Sequence, residues 1–141
     1  MPENAEKPVG LTKDTGFQIG VRRTLDIGLE AAWDLLLSAR GLQAWLGEPL
    51  TMRLANGAQY QLKDGSAGQI RVLSPGSHIR LTWDPGNWSR ASTVQVRVIP
   101  AGERTVIAFH QEHLPDQNTR QARRDYYMAA LDELESIITS R

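Results

Sequence analysis

Two of the chain's three histidines, His110 and His113, bracket Glu112 in "AFHQEHLP", residues 108–115. Imidazoles and a carboxylate this close in sequence are the ingredients of a metal site or an acid/base pair, and the backbone that carries them decides which. Val106, Ile107 and Phe109 favour a strand, and Pro115 follows too soon for a helix to extend. Strand alternation then puts His110 and Glu112 on one face and His113 on the other, with Ile107 and Phe109. Histidines on opposite faces do not chelate one ion unless a bulge lies between them, and neither H-E-x-x-H nor H-x-H spacing occurs. No metal site is expected. His110 and Glu112 read as a polar pair on the outer surface of a sheet, whereas His113, at the strand's end on the dry side, is a candidate for the rim of a pocket.

Other routes to reaction chemistry are missing from the sequence. There is no cysteine, hence no disulfide, thiolate ligand or thiol nucleophile. Neither G-x-S-x-G nor the phosphate-cradling G-x-x-x-x-G-K-[ST] or G-x-G-x-x-G is present. No catalytic residue and no cofactor is assigned, and a binding role is expected ahead of an enzymatic one. Sixteen basic residues balance sixteen acidic ones, which argues against a nucleic-acid partner held through phosphates. The densest basic segment, "RQARRD" at 120–125, reads as the wet face and first turn of a helix.

The 141 residues suffice for one domain with a core of its own. Residues 1–16 are polar, lack a secretory apolar run and are expected to form a flexible arm before a single domain over 17–141. No window approaches the ~20 apolar residues of a membrane span, and a cytoplasmic location is expected. Phe17, Ile19 and Val21 alternate as in a half-buried strand. Leu29, Ala32, Trp33, Leu36 and Leu37 then recur at helical spacing, and Gly41 is expected to break this run into two short helices. From residue 50, turn signals at 55–57, 63–65, 74–76, 84–87 and 100–102 separate six alternating segments. Their dry face is expected to carry Met52, Leu54, Ala58, Tyr60, Leu62, Ile70, Val72, Ile79, Leu81, Trp83, Val94, Val96, Val98, Ile107 and Phe109. After Pro115, Tyr127, Ala130, Leu131, Leu134, Ile137 and Ile138 form one stripe of a long helix. Its only large partner is the dry face of the sheet.

This order of elements, with "VRRTLDIGLEAAWDLL", "GLQAWLG", "GSAGQIRVLSPGSHIRLTW", "GERTVIAFHQEHLPD" and "RRDYYMAALDEL", resembles the bacterial form of the activator of heat-shock-protein-90 ATPase homologue family. That family lies within the START-like, polyketide-cyclase-like (SRPBCC) superfamily. The resemblance spans about residues 17 to 138 and implies an α+β helix-grip fold like that of Bet v 1. Its parts are a curved antiparallel sheet of about seven strands, two short helices after strand one and a long C-terminal helix across the sheet. Many relatives have a tryptophan where this chain has Tyr127, whose hydroxyl needs a partner.

The superfamily commonly holds an apolar small molecule between sheet and helix. By that resemblance the expected ligand is hydrophobic, a lipid or an aromatic, polyketide-like molecule. The expected contact residues are Trp33, Trp45, Tyr60, Trp83, Trp88, Phe109, His113 and Tyr127. Two alternatives stand beside this one: an interaction protein that meets a chaperone, and a cyclase or hydrolase using His113 or a tyrosine as acid/base. Arginines and glutamines on the outer sheet face argue for a monomer.

Overall fold

The computed structural model describes residues 11–12 and 16–140. The rest of the arm expected over 1–16 lies outside the described residues. The strands are β1 (Leu11–Thr12), β2 (Gly16–Leu25), β3 (Pro49–Met52), β4 (Gln59–Leu62), β5 (Ala67–Ser74), β6 (His78–Trp83), β7 (Ser92–Ala101) and β8 (Arg104–Leu114). They form one antiparallel sheet in the order β1-β2-β8-β7-β6-β5-β4-β3. The strand beyond the expected seven is the two-residue β1. Helices α1 (Leu29–Leu37) and α2 (Ala39–Trp45) follow β2, and α3 (Gln117–Thr139) crosses β2 and β8 and also packs on α2. This is the helix-grip fold.

The stripes behave as their periods require. Leu25, Leu36, Ile79, Leu81, Val96, Ile107, Leu131 and Leu134 are each no more than 1% exposed, and burying such a side chain contributes roughly 1.5–3 kcal/mol. The long helix starts where its first-turn N–H groups find an acceptor, since the Asp116 carboxylate accepts from the Thr119 N–H at 2.7 Å.

Three expectations are corrected. The break between α1 and α2 falls at Ser38, not Gly41: Ser38 is extended (φ −70°, ψ 163°) and its Oγ accepts from the Gly41 N–H at 3.1 Å, capping α2. Gly41 is buried within α2 because a Cβ there would stand 1.8 Å from the Leu35 carbonyl oxygen. Its role is close approach rather than termination.

The dry face is also shorter than simple alternation implies. A register shift between Ile70 and Val72 turns Val72 outward to 38% exposure while Ile70 stays buried, and Leu54, beyond the end of β3, is equally exposed. A second irregularity ends β8. Phe17 pairs with Leu114 but Ile19 with Gln111, so β8 carries an extra residue there, and His113 takes φ 65°. This bulge moves the alternation on by one. Leu114 points into the core and is 3% exposed, whereas His113 leaves the dry side where alternation placed it.

Candidate functional site

Before the bulge, β8 turns Ile107, Phe109 and Gln111 inward, all at most 1% exposed. An amide at such a position must satisfy both ends, because an unpaired buried polar group costs about 1–3 kcal/mol. Gln111 Nε2 donates to Ser92 Oγ on neighbouring β7 at 2.8 Å, and Ser92 Oγ donates on to the Trp83 carbonyl oxygen at 2.8 Å. Gln111 Oε1 accepts from Arg123 Nε at 2.9 Å and from the Tyr127 hydroxyl at 3.1 Å. The hydroxyl that Tyr127 brings in place of an indole thus has its partner. Arg123 stands one turn before Tyr127 on α3, and its Nη2 donates to the Tyr127 oxygen at 3.2 Å.

The guanidinium is enclosed by rings. Its carbon lies 4.2 Å from the Trp83 ring centroid, 4.3 Å from that of Tyr126 and 5.1 Å from that of Tyr127. These are cation–π distances, and each such contact contributes on the order of 0.5–2 kcal/mol. Beneath the cage the rings continue as a column. Tyr127 stacks on Phe109 with centroids 4.9 Å apart and planes at 19°, and Phe109 meets Trp45 at 6.0 Å. Above it, Trp88 meets the edge of Trp83 at 5.3 Å.

Among the described residues, the fully buried polar atoms of these rings are paired with one exception. Trp45 Nε1 donates to the Leu36 carbonyl at 2.9 Å, and the Tyr60 hydroxyl donates to the Thr82 carbonyl at 2.6 Å. Trp83 Nε1 is buried and has no hydrogen-bond partner among the described residues. Burial is the main reason that the tyrosines hold their protons: it pushes Tyr60 far above the ordinary phenol range and raises Tyr126 and Tyr127, against the opposing field of Arg123. All three are therefore neutral not only at neutral pH, where any phenol is, but into alkali.

Trp88 also walls a cleft of about 260 Å³, together with Gly16, Ser89, Arg90, His113, Leu114 and Pro115. His113 lines this cleft from its position in the bulge. Larger clefts lie elsewhere. One of about 440 Å³ runs along β4 to β6, past Gln59, Gln69 and Asp84, one of about 570 Å³ lies where the α1–α2 junction meets Ile137, and one of about 350 Å³ lies over β2 and β8 at Gly20, Arg22, Ala108 and His110.

Of the eight expected contact residues, Trp83, Phe109 and Tyr127 belong to the cage and its column, and Trp88 and His113 to the adjoining cleft. Trp45 ends the column at 0% exposure, Tyr60 is tied to β6, and Trp33 is buried on α1 outside the aromatic pairs. His110 and Glu112 are side by side on the outer face: His110 Nε2 meets Gln18 Oε1 at 2.9 Å, and Arg80 approaches Glu112 at 3.3 Å. Among the described residues no three His, Asp or Glu side chains converge as metal ligands. The sequence reading missed Gln111, Ser92, Tyr126 and Arg123, the last of which it places on a wet helix face. Two signals for them were present: Gln111 continues the inward register of Ile107 and Phe109, and Arg123 stands four residues before Tyr127 on its stripe.

A family model described as "Activator of Hsp90 ATPase homolog 1-like protein" matches residues 26–139. No curated protein matches the chain. Among solved structures, the fold is similar to that of CalU16 from Micromonospora echinospora, with a TM-score of 0.74 and 21% identity, covering 86% of this chain and 73% of that one. It is similar also to PFC0360w, an HSP90 activator from Plasmodium falciparum, with a TM-score of 0.71, 17% identity and coverage of 86% and 96%. A third is the Aha1 dimer from Colwellia psychrerythraea, with a TM-score of 0.65, 14% identity and coverage of 84% and 96%. Among the described residues no helix is long and apolar enough to cross a membrane.

Proposed function

Since the chain belongs to the Activator of Hsp90 ATPase homolog 1-like protein family, we propose that it is a binding module that holds a small, mainly hydrophobic molecule where the sheet meets the first half of α3. The contact residues in this reading are Trp83, Trp88, Tyr127 and His113, with Tyr60 and Phe109 behind them. Trp33 and Trp45 act further back, as core that holds the walls. One observation carries the reading: Trp83 Nε1 is a buried donor without a partner among the described residues, on a ring that joins the cage to the Trp88 cleft. A well-packed core does not leave a donor unspent at a cost of about 1–3 kcal/mol without a use for it. The cleft of about 260 Å³ is smaller than the roughly 300–1,000 Å³ that drug-sized ligands need, which favours a molecule of one or two rings.

Native mass spectrometry of protein purified from its own host tests this directly. The expected result is a co-purifying small molecule, whose addition back to stripped protein raises the melting temperature and quenches tryptophan emission. Protein that emerges bare, and that no apolar or aromatic probe stabilises, would remove the reading. A second reading, stimulation of a chaperone ATPase, is favoured by the shared fold with a structure described as an HSP90 activator. An unchanged ATPase rate of the host's own chaperone on addition of this chain would count against it.

A further inference from the structure

Arg123 differs from the arginines that are ion-paired on the surface. Arg23 reaches Asp132 at 2.7 Å and Glu135 at 3.2 Å, Arg80 reaches Glu112 at 3.3 Å and Arg40 reaches Glu133 at 3.8 Å. Arg123, half-buried against the network, is in none of the ion pairs among the described residues. Its hydrogen-bond partners are a neutral amide oxygen and a neutral hydroxyl, and its Nη1 has no partner among those residues. Rings and amide oxygens orient a cation without neutralising it, and a partly desolvated charge is best matched by an opposite one. Asp64, in the turn between β4 and β5, is not that match. Its carboxylate is occupied by the Ser66 hydroxyl and N–H, which hold it below the ordinary carboxylate range, and the field of Arg123 is the least of the causes acting on it.

Two unspent donors therefore stand on one cage: Arg123 Nη1 and, on the ring beneath the guanidinium, Trp83 Nε1. We propose that the bound molecule is an aromatic carboxylic acid, with its carboxylate taken by Arg123 and the Trp83 indole N–H and its ring lying against Trp88. This rests on the binding reading above and deepens it. A monoanion with two acceptor oxygens fits one guanidinium edge and one N–H, whereas a phosphate would present more oxygens than these donors serve. The exposed Arg90 on the same cleft favours approach of an anion from solvent.

Calorimetric titration with matched acid and amide pairs tests the inference: phenylacetate, indole-3-acetate and 1-naphthylacetate, each against its neutral amide. Wild-type protein is expected to bind at least one acid about tenfold or more tightly than its amide, the scale of a charge-assisted hydrogen bond. In Arg123→Gln the acid-to-amide ratio is expected to fall towards one, with Arg123→Lys recovering part of it. Trp83→Phe is expected to lower the ratio as well. Circular dichroism and melting temperature establish that each variant is folded, and the Lys variant carries the test if the Gln variant is not.

Equal affinity of wild type for acid and amide would overturn the carboxylate inference and leave the binding reading standing. A preference that survives Arg123→Gln and disappears in Arg90→Gln would overturn the assignment to Arg123. Failure of every acid and every amide to bind would overturn both.

Discussion

Trp45 and Trp83 lie in the same interior and have different fates. Trp45 sits under the α1–α2 turn at 0% exposure, tilted at 41° against Phe109, with its N–H spent on the Leu36 carbonyl. Trp83 sits at the other end of the aromatic column at 8% exposure, with a cation on its face, a second tryptophan at its edge and its N–H unspent. One end is a core in the ordinary sense, with each polar atom consumed so that only packing remains. The other end is a polar network built into apolar walls, where Gln111, Ser92, Tyr127 and Arg123 bond to one another and, among the described residues, leave Arg123 Nη1 and Trp83 Nε1 unspent. The difference teaches that aromatic content alone does not locate a site. What separates support from site is the hydrogen-bond account of the rings.

The sharpest way to break that comparison is to truncate each end. Trp45→Ala, which opens a cavity in the closed end, is expected to cost about 3–5 kcal/mol, measured by denaturant unfolding. A loss below about 2 kcal/mol would mean that the closed end is not the rigid one. Gln111→Leu comes next. It keeps an apolar body but strands Arg123 Nε and deprives Ser92 and Tyr127 of a partner, for an expected loss of about 1–3 kcal/mol. A neutral or stabilising result would show that the network is not what holds the polar end in place.

Alkali probes the same end without mutation. The chain's three tyrosines all have raised folded-state pKa values, with burial as the largest cause. A raised folded value means that this stability is fully present below the unfolded phenol pKa, near 10, and is lost as pH rises from there through the folded value. Each tyrosine then removes about 1.4 kcal/mol per pH unit. Tyrosinate absorbance is expected to appear together with loss of near-ultraviolet circular dichroism; tyrosinate at pH 10 in a still-folded protein would place Tyr126 or Tyr127 in water.

The smallest expected effect is that of Trp83→Phe on the unliganded protein. Apolar contact is lost, but so is an unsatisfied buried N–H, and the net change is expected within about 1 kcal/mol. A loss as large as that of Trp45→Ala would erase the distinction between the two ends.

Much of the fold was legible. Leu29 to Leu37 and Tyr127 to Ile137 declared helices, and Ile79, Leu81 and Trp83 a strand, because each element must bury one face and its period follows from backbone geometry. Breaks in period were not legible. Val72 and His113 obey alternation on paper and violate it in space, since a bulge depends on how two strands align rather than on either strand's composition. Gly41 carries the sequence signature of a helix stop, yet the stop lies at Ser38, because the closeness of the Leu35 carbonyl is a property of the folded turn.

The site divides along the same line. The sequence by itself determined that Trp33, Tyr60, Trp83, Phe109 and Tyr127 face the interior, and hence that the interior is aromatic, because facing is a matter of local period; Trp45, Trp88 and Tyr126 were placed only by the fold. Only the tertiary structure decided that Gln111 meets Ser92 and Arg123 on two other elements, that Trp45 has spent its N–H and that Trp83 has not. Hydrogen bonds are short and directional, so whether a donor is satisfied depends on placements of a few tenths of an ångström between elements far apart along the chain.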